Sequence, residues 1–141
     1  MGANLKLVDQ AIAAYNAGDI EAFCALYADD ATFISPDGAC VGHAAILERW
    51  QQTQQAFPDG KVTVTLAVDD GSCVVNEWIF TATNTGPLTL PDGSQLPATG
   101  LTVEVPGMDI TEIRDGKITS HRMYFDNVAA FTQLGLMPAP A

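Results

Sequence analysis

The apolar residues of this chain change their spacing once, near residue 60, and that change limits what the chain can become. Up to Phe57 they recur every three or four positions, as one face of a helix requires; from Lys61 onward they alternate at a period of two. Leu5, Val8, Ile12 and Tyr15 form a first helical stripe ended by Gly18. Asp19 is placed to cap a second helix, with Ile20, Phe23, Cys24 and Tyr27 on its apolar face and a stop at Ala28-Asp29-Asp30. Residues 31–35 read as a short strand stopped by Pro36-Asp37-Gly38, and a third helix carries Ile46, Leu47, Trp50 and Phe57. Strands are then expected at 61–68, 73–83, 101–113 and 117–125, with turns at Asp69-Asp70-Gly71 and Asp115-Gly116. Pro106-Gly107 should bulge the third of these, and a last short helix should cover 127–134. The stretch 86–100, with Pro87, Pro91 and Pro97, should be an irregular loop over the mouth of something, and the tail 137–141 is too rich in proline for a helix. Helices followed by neighbouring strands are the α+β pattern: one domain over residues 1–141, a curved antiparallel sheet wrapped around a face of helices.

Charge and cysteine content narrow the partners. Six Lys and Arg against seventeen Asp and Glu give a formal net charge of −11, which repels a nucleic-acid backbone or an anionic membrane surface. Neither partner is expected. Cys24, Cys40 and Cys73 are odd in number and widely spaced, so reduced thiols in a cytoplasm fit better than a disulfide framework or a zinc cluster. The start of the chain lacks an apolar signal core and no stretch reaches the length of a membrane span. His43 and His121 lie too far apart in sequence to suggest a metal site, so no metal or cofactor is expected.

The closing strand carries the chemistry that a sequence can show. After the Asp115-Gly116 turn, strict alternation puts Ile118, Ser120, Arg122, Tyr124 and Asp126 on one face and Thr119, His121, Met123 and Phe125 on the other. If the first face looks into a pocket, Asp126 is an acid/base group; if it looks at solvent, Asp126 caps the following helix or pairs with Arg122. His121, on the second face, would then belong to the outer side of the sheet.

Four stretches also carry a family resemblance: Tyr15-Asn16-Ala17-Gly18-Asp19-Ile20, Leu26-Tyr27-Ala28-Asp29-Asp30-Ala31-Thr32-Phe33, Glu77-Trp78 with Thr83-Asn84-Thr85-Gly86-Pro87, and Gly116-Lys117-Ile118 with Tyr124-Phe125-Asp126. In order and spacing they resemble the SnoaL-like (polyketide cyclase-like) branch of the nuclear-transport-factor-2-like, ketosteroid-isomerase-like superfamily. The resemblance implies a cone-shaped, cystatin-like α+β barrel around three N-terminal helices, a short C-terminal helix, a deep apolar pocket and a homodimer through the sheet face. It also implies cofactor-free acid/base chemistry of the cyclase, aldol or isomerase type, with Asp126 matching the polyketide cyclases' single aspartate. Their second polar helper falls near Glu112, and a frequent histidine is replaced by Asn84. Steroid isomerases' aspartate and tyrosine fall on Ser35 and Ala11. Limonene-epoxide-hydrolase-like enzymes share the closing Tyr-Phe-Asp, but their central-strand Arg and Asp fall on Trp78 and Phe80.

On the strand at 73–83, Val74, Asn76, Trp78 and Phe80 share the more aromatic face, which is assigned to the pocket, with Glu77 facing away. With Tyr15, Phe33 and Trp50 they would form an aromatic slot whose polar groups are Asn76, Arg122, Tyr124 and Asp126. Such a slot suits an apolar, carbonyl-bearing small molecule. The alternatives are a non-catalytic binding protein using the same cavity, an epoxide hydrolase, or a scaffold protein that buries His121, Met123 and Phe125 against a partner.

Overall fold

The computed structural model describes residues 2–138, so residues 139–141 of the proline-rich tail lie outside the described residues. Helix α1 (Ala3–Asn16) buries Val8, Ala11 and Tyr15 and ends where Gly18, at φ 77°, takes the left-handed conformation that other residues disfavour. Helix α2 (Ile20–Cys24) is capped by Asp19, whose carboxylate accepts from the Ala22 N–H at 3.1 Å. It is shorter than its apolar spacing suggests, because Tyr27 already belongs to strand β1 (Tyr27–Ser35) and pairs with Ile118. Tyr27 fits the helical stripe of Ile20 and Phe23, but its burial comes from the sheet interior. The Pro36-Asp37 turn leads into β2 (Gly38–Val41), a strand that its alternation does not announce, and α3 (His43–Ala56) follows.

The remaining strands lie close to their expected positions: β3 (Lys61–Asp69), β4 (Cys73–Thr83), β7 (Thr102–Arg114) and β8 (Lys117–Phe125), before α4 (Asn127–Gln133). Between β4 and β7 the loop holds a small separate hairpin of β5 (Leu88–Thr89) and β6 (Gln95–Leu96). The main sheet runs β2-β1-β8-β7-β4-β3, antiparallel throughout except for the parallel β1–β8 pair. Helices pack against this curved, mostly antiparallel sheet, and the fold is the ketosteroid-isomerase-like α+β fold.

Two details of register position everything that follows. The expected bulge at Pro106-Gly107 does not form: β4 and β7 pair without interruption from Cys73↔Glu112 to Thr83↔Thr102. The bulge lies instead on β8, where Ile118 pairs with Ile113 but Ser120 pairs with Glu112, leaving Thr119 as the extra residue. Because strand side chains alternate with a period of two, one extra residue turns every later side chain to the other face. Ile118 is buried inward, and beyond the bulge it is His121, Met123 and Phe125 that face inward, while Arg122 and Tyr124 face out.

The 84–101 connection is held by one buried side chain. Asn84, fully buried, donates from Nδ2 to the carbonyls of Ala56 and Gly86 and accepts at Oδ1 from the Thr99 N–H and hydroxyl, at 2.8–3.1 Å. It thereby ties the end of α3 to both ends of the loop. Asn84→Ala would take away the side-chain partner of the Gly86 carbonyl and the Thr99 N–H, while the Ala56 carbonyl keeps the Gly86 N–H, at a cost of about 2–4 kcal/mol. Urea denaturation is expected to show a lower midpoint by that amount, with the slope unchanged.

Candidate active site

Between the concave sheet face and the helices lies a cavity of about 660 Å³, within the usual range for small-molecule sites. Its aromatic side is continuous. Trp50 of α3 meets Phe23 edge-on with centroids 5.0 Å apart, Tyr15 at 5.6 Å and Phe33 at 5.2 Å. Each such pair contributes about 0.5–1.5 kcal/mol beyond its buried area, so the wall is a rigid one. Tyr15, Phe33, Trp50, Trp78 and Phe80 all line the cavity, as their positions in the sequence suggest. Asn76 is buried beside it on the same strand face but does not line it, and its Nδ2 has no protein partner among the described residues.

Trp78 sits where it does because Gly107 is opposite. The two are register partners on β4 and β7, and the indole ring covers the Gly107 backbone so closely that a Cβ there would run into three ring carbons. The glycine serves a close approach rather than a bulge. Gly107→Ala is expected to push Trp78 off this surface into the cavity, lowering stability by about 1–3 kcal/mol. A shifted tryptophan emission maximum, together with weaker binding of any aromatic ligand, would report the displacement.

At the inner end of the cavity three side chains from three strands form a buried polar chain. The Tyr27 hydroxyl of β1 lies 2.7 Å from His121 Nδ1, and His121 Nε2 lies 2.9 Å from Asp109 Oδ2. A carboxylate can only accept, so Nε2 carries the hydrogen; in the neutral ring Nδ1 is then the acceptor for the Tyr27 O–H. Burial holds the Tyr27 hydroxyl well above the ordinary tyrosine range, a shift to which nearby Cys24 adds, so the hydroxyl keeps its proton as donor. Burial likewise pushes the Cys24 thiol up to about 12, which removes it as a nucleophile. Phe33 and Trp50 flank the imidazole, with ring centroids at 5.1 and 6.4 Å.

Asp109 is the exposed end of this chain with respect to the cavity. It lines the cavity with His121, and while Oδ2 takes the imidazole N–H, Oδ1 has no hydrogen-bond partner among the described residues. A buried carboxylate oxygen with one lone-pair set unused is an acceptor that a ligand's proton can satisfy. Asp109 could have been found from sequence. Val103 and Val105 set the inward phase of β7, and carrying it forward through Gly107 lands on Asp109 and Thr111, all inward. The expected bulge at Pro106-Gly107 hid it, because a bulge there would have reversed the phase.

Four expected site residues are placed elsewhere. Asp126 is exposed and accepts from the Ala129 N–H at 3.0 Å as the N-cap of α4. Glu112 and Arg122 form an ion pair with each other at 2.9 Å on the outer face. Tyr124 is 48% exposed on that same face. For the β8 residues the cause is the Thr119 bulge, which puts the face beginning at Ile118 outside from Ser120 onward, while Glu112 faces out by the alternation of β7 beside the buried Thr111. For the same reason His121, Met123 and Phe125, expected outside, line the cavity. No group of three or more His, Cys, Asp or Glu side chains suited to a metal ion occurs among the described residues, and no helix among them is long and apolar enough to cross a membrane.

Comparison with known proteins agrees with this architecture. Residues 8–121 match the profile of the SnoaL-like domain family. A protein from Jannaschia sp. CCS1, provisionally described as a SnoaL-like polyketide cyclase, superposes with a TM-score of 0.83 at 20% identity, covering 96% of this chain and 94% of its own. IdmH from Streptomyces antibioticus, provisionally described as a polyketide cyclase, gives 0.77 at 29% identity, covering 94% and 98%. A protein with a ketosteroid-isomerase-like fold from Catenulispora acidiphila DSM 44928, solved with trimethylamine, gives 0.76 at 23% identity, covering 93% of each chain. No curated protein matches the sequence.

Proposed function

The chain belongs to the SnoaL-like domain family, and from that premise we propose that it is an acid/base catalyst acting on an apolar, carbonyl-bearing small molecule, with Asp109 as the group that moves the proton. The observation that carries this reading is the Asp109 carboxylate, which lines the aromatic cavity and has only one oxygen bonded among the described residues. In the proposed step the Asp109 carboxylate takes a proton from the carbon next to the ligand's carbonyl, leaving an enolate. The enolate carbon then bonds to a second electrophilic carbon, as in a cyclisation, or is reprotonated at another carbon, as in an isomerisation. In either case the proton held by Asp109 returns to the product, so one carboxylate closes the cycle. His121 does not touch the reacting atoms. It acts as a positioning residue, fixing the carboxylate plane through Nε2–H and itself fixed by Tyr27.

The epoxide-hydrolase alternative rested on Asp126, which caps α4 outside the cavity. The binding-protein alternative makes a different forecast for the same carboxylate. Incorporation of solvent deuterium next to the carbonyl of a polycyclic β-keto ester is the direct readout. Asp109→Asn is expected to lower it at least about 100-fold. Asp126→Asn is expected to leave it unchanged and to cost little stability, because an asparagine oxygen can accept from the Ala129 N–H and cap α4 about as well. Undiminished exchange in Asp109→Asn would defeat the assignment, and tight binding without exchange in the unaltered protein would favour a binding role.

A homodimer through the outer sheet face belongs to the same reading. In register across four strands, that face carries the row Tyr124, Met108, Glu77 and Leu66 and the row Arg122, Ile110, Val75 and Val68, three apolar side chains to one charge in each. Leu66, Val68 and Tyr124 are each about half exposed. An apolar surface of this kind marks a contact between proteins. Light scattering is expected to give twice the chain mass. Leu66→Glu with Tyr124→Glu, which alters side chains already exposed in the single chain, is expected to give the monomer.

A further inference from the structure

At the mouth of the cavity, away from the Asp109 chain, stands the one lysine or arginine among the residues that line it. Arg49 projects from α3, and its Nη2 donates to Ser35 Oγ at 2.9 Å and to Asp37 Oδ2 at 3.2 Å. Asp37 is itself held, since its Oδ1 accepts from Asn127 Nδ2 at 2.6 Å. The guanidinium carbon lies 5.8 Å from the centroid of Phe33, within cation–π range. The side chain keeps only 21% of its exposure, so the head group is positioned rather than free. A latch between α3 and the β1–β2 turn uses one nitrogen, and that is all the protein takes. Nε and Nη1 have no acceptor among the described residues.

We infer that this head group is an anion site, and that the ligand of the cavity carries a carboxylate on its ring body, bound by Arg49 at the mouth. The inference rests on the cavity's being a ligand site and adds the ligand's charge class. A guanidinium held in place on one nitrogen, with its other donors accessible, offers a site for an acceptor, and a carboxylate makes the shortest and strongest hydrogen bonds with it. The spacing fits one molecule. Phe33 is the ring neighbour of both Arg49, at 5.8 Å, and His121, at 5.1 Å, so the anion site and the Asp109–His121 pair border one ring. A ligand held at one end by charge would thus present its interior carbons to Asp109. The net charge of −11 does not forbid an anion here. Charges farther off than the Debye length, about 8 Å in physiological salt, are largely screened, and the nearer Glu48 is exposed to solvent on the rim. Asp37 offsets part of the guanidinium charge, but its second oxygen is directed to Asn127, which leaves the cavity side of Arg49 to the ligand.

Three anthracene probes with one ring body separate the outcomes: anthracene-2-carboxylate, its neutral carboxamide and the protonated 2-aminomethyl derivative. Fluorescence titration at neutral pH is expected to show the carboxylate bound at least about tenfold more tightly than the carboxamide, the worth of one charge-assisted hydrogen bond. Arg49→Gln is expected to bind carboxylate and carboxamide equally, with the carboxamide affinity within about twofold of its original value. Arg49→Lys, which keeps the charge, should retain part of the preference. Equal or tighter binding of the carboxamide or the ammonium probe by the unaltered protein, no binding of the carboxylate, or a preference that survives Arg49→Gln would overturn the inference. Should Arg49→Gln fail to fold, the comparison of probes on the unaltered protein decides alone. All arms read binding, so Asp109→Asn separates the two assignments. It is expected to keep the carboxylate preference even though its proton transfer is lost.

Discussion

The buried imidazole of His121 is the point on which the interior of this protein depends. A histidine with both ring nitrogens out of water is stable only if both find partners, and here each comes from a different strand, Tyr27 from β1 and Asp109 from β7. The three strands are adjacent in the sheet, so the polar chain crosses it at right angles to the backbone and joins the parallel β1–β8 pair to the antiparallel β8–β7 pair. The aromatic wall of Phe33 and Trp50 excludes water from this crossing. In a low-dielectric setting each bond is stronger, and so is the penalty for losing one. The chain ends on a carboxylate oxygen that the protein leaves unmatched, at the boundary between the packed interior and the cavity.

That arrangement exists only because of one extra residue. Without the bulge at Thr119, the inward phase begun by Ile118 would continue through Ser120, Arg122 and Tyr124. A serine would then stand opposite Thr111, where the imidazole stands, and Arg122 would stand opposite Asp109. With the bulge, the same nine residues satisfy two demands: a buried apolar contact at the start of β8, where Ile118 is 2% exposed, and a polar, aromatic cavity wall further on. The outer face gains from the same shift, since Arg122 reaches Glu112 there and Tyr124 joins an apolar row. Asp126, at the end of the strand, takes the local role its position before a helix offers and caps α4.

The two ends of the cavity are built by different kinds of chemistry. The inner end is made of short hydrogen bonds among buried groups on strands, whose positions the sheet holds rigidly. The mouth is made of side chains from a turn, a helix and the final helix, Asp37, Arg49 and Asn127, which meet only when α4 folds back over the sheet. Leu88 and Pro91 of the loop also line it, and the loop's position goes back to Asn84. Asn84 supports the architecture of the mouth rather than the chemistry of the site.

What could be read along the chain was whatever depends on local spacing. The helical stripe of α1, the cap at Asp19, the period-two runs of β3 and β4 and the inward face of Trp78 and Phe80 follow from 3.6- and 2-residue periodicity, and the family followed from short stretches in a fixed order. The aromatic lining is therefore legible, and so is Asp109 where Val103 and Val105 set the phase of β7. Only the tertiary structure decided which face of β8 looks inward, because the bulge is a mismatch between two strands and leaves no mark on either one alone. It likewise decided that Tyr27 is a strand residue and that His121 is an interior group. Local spacing fits each of them to either environment, and only partners 94 and 12 residues away in sequence, brought together by the sheet, select between them.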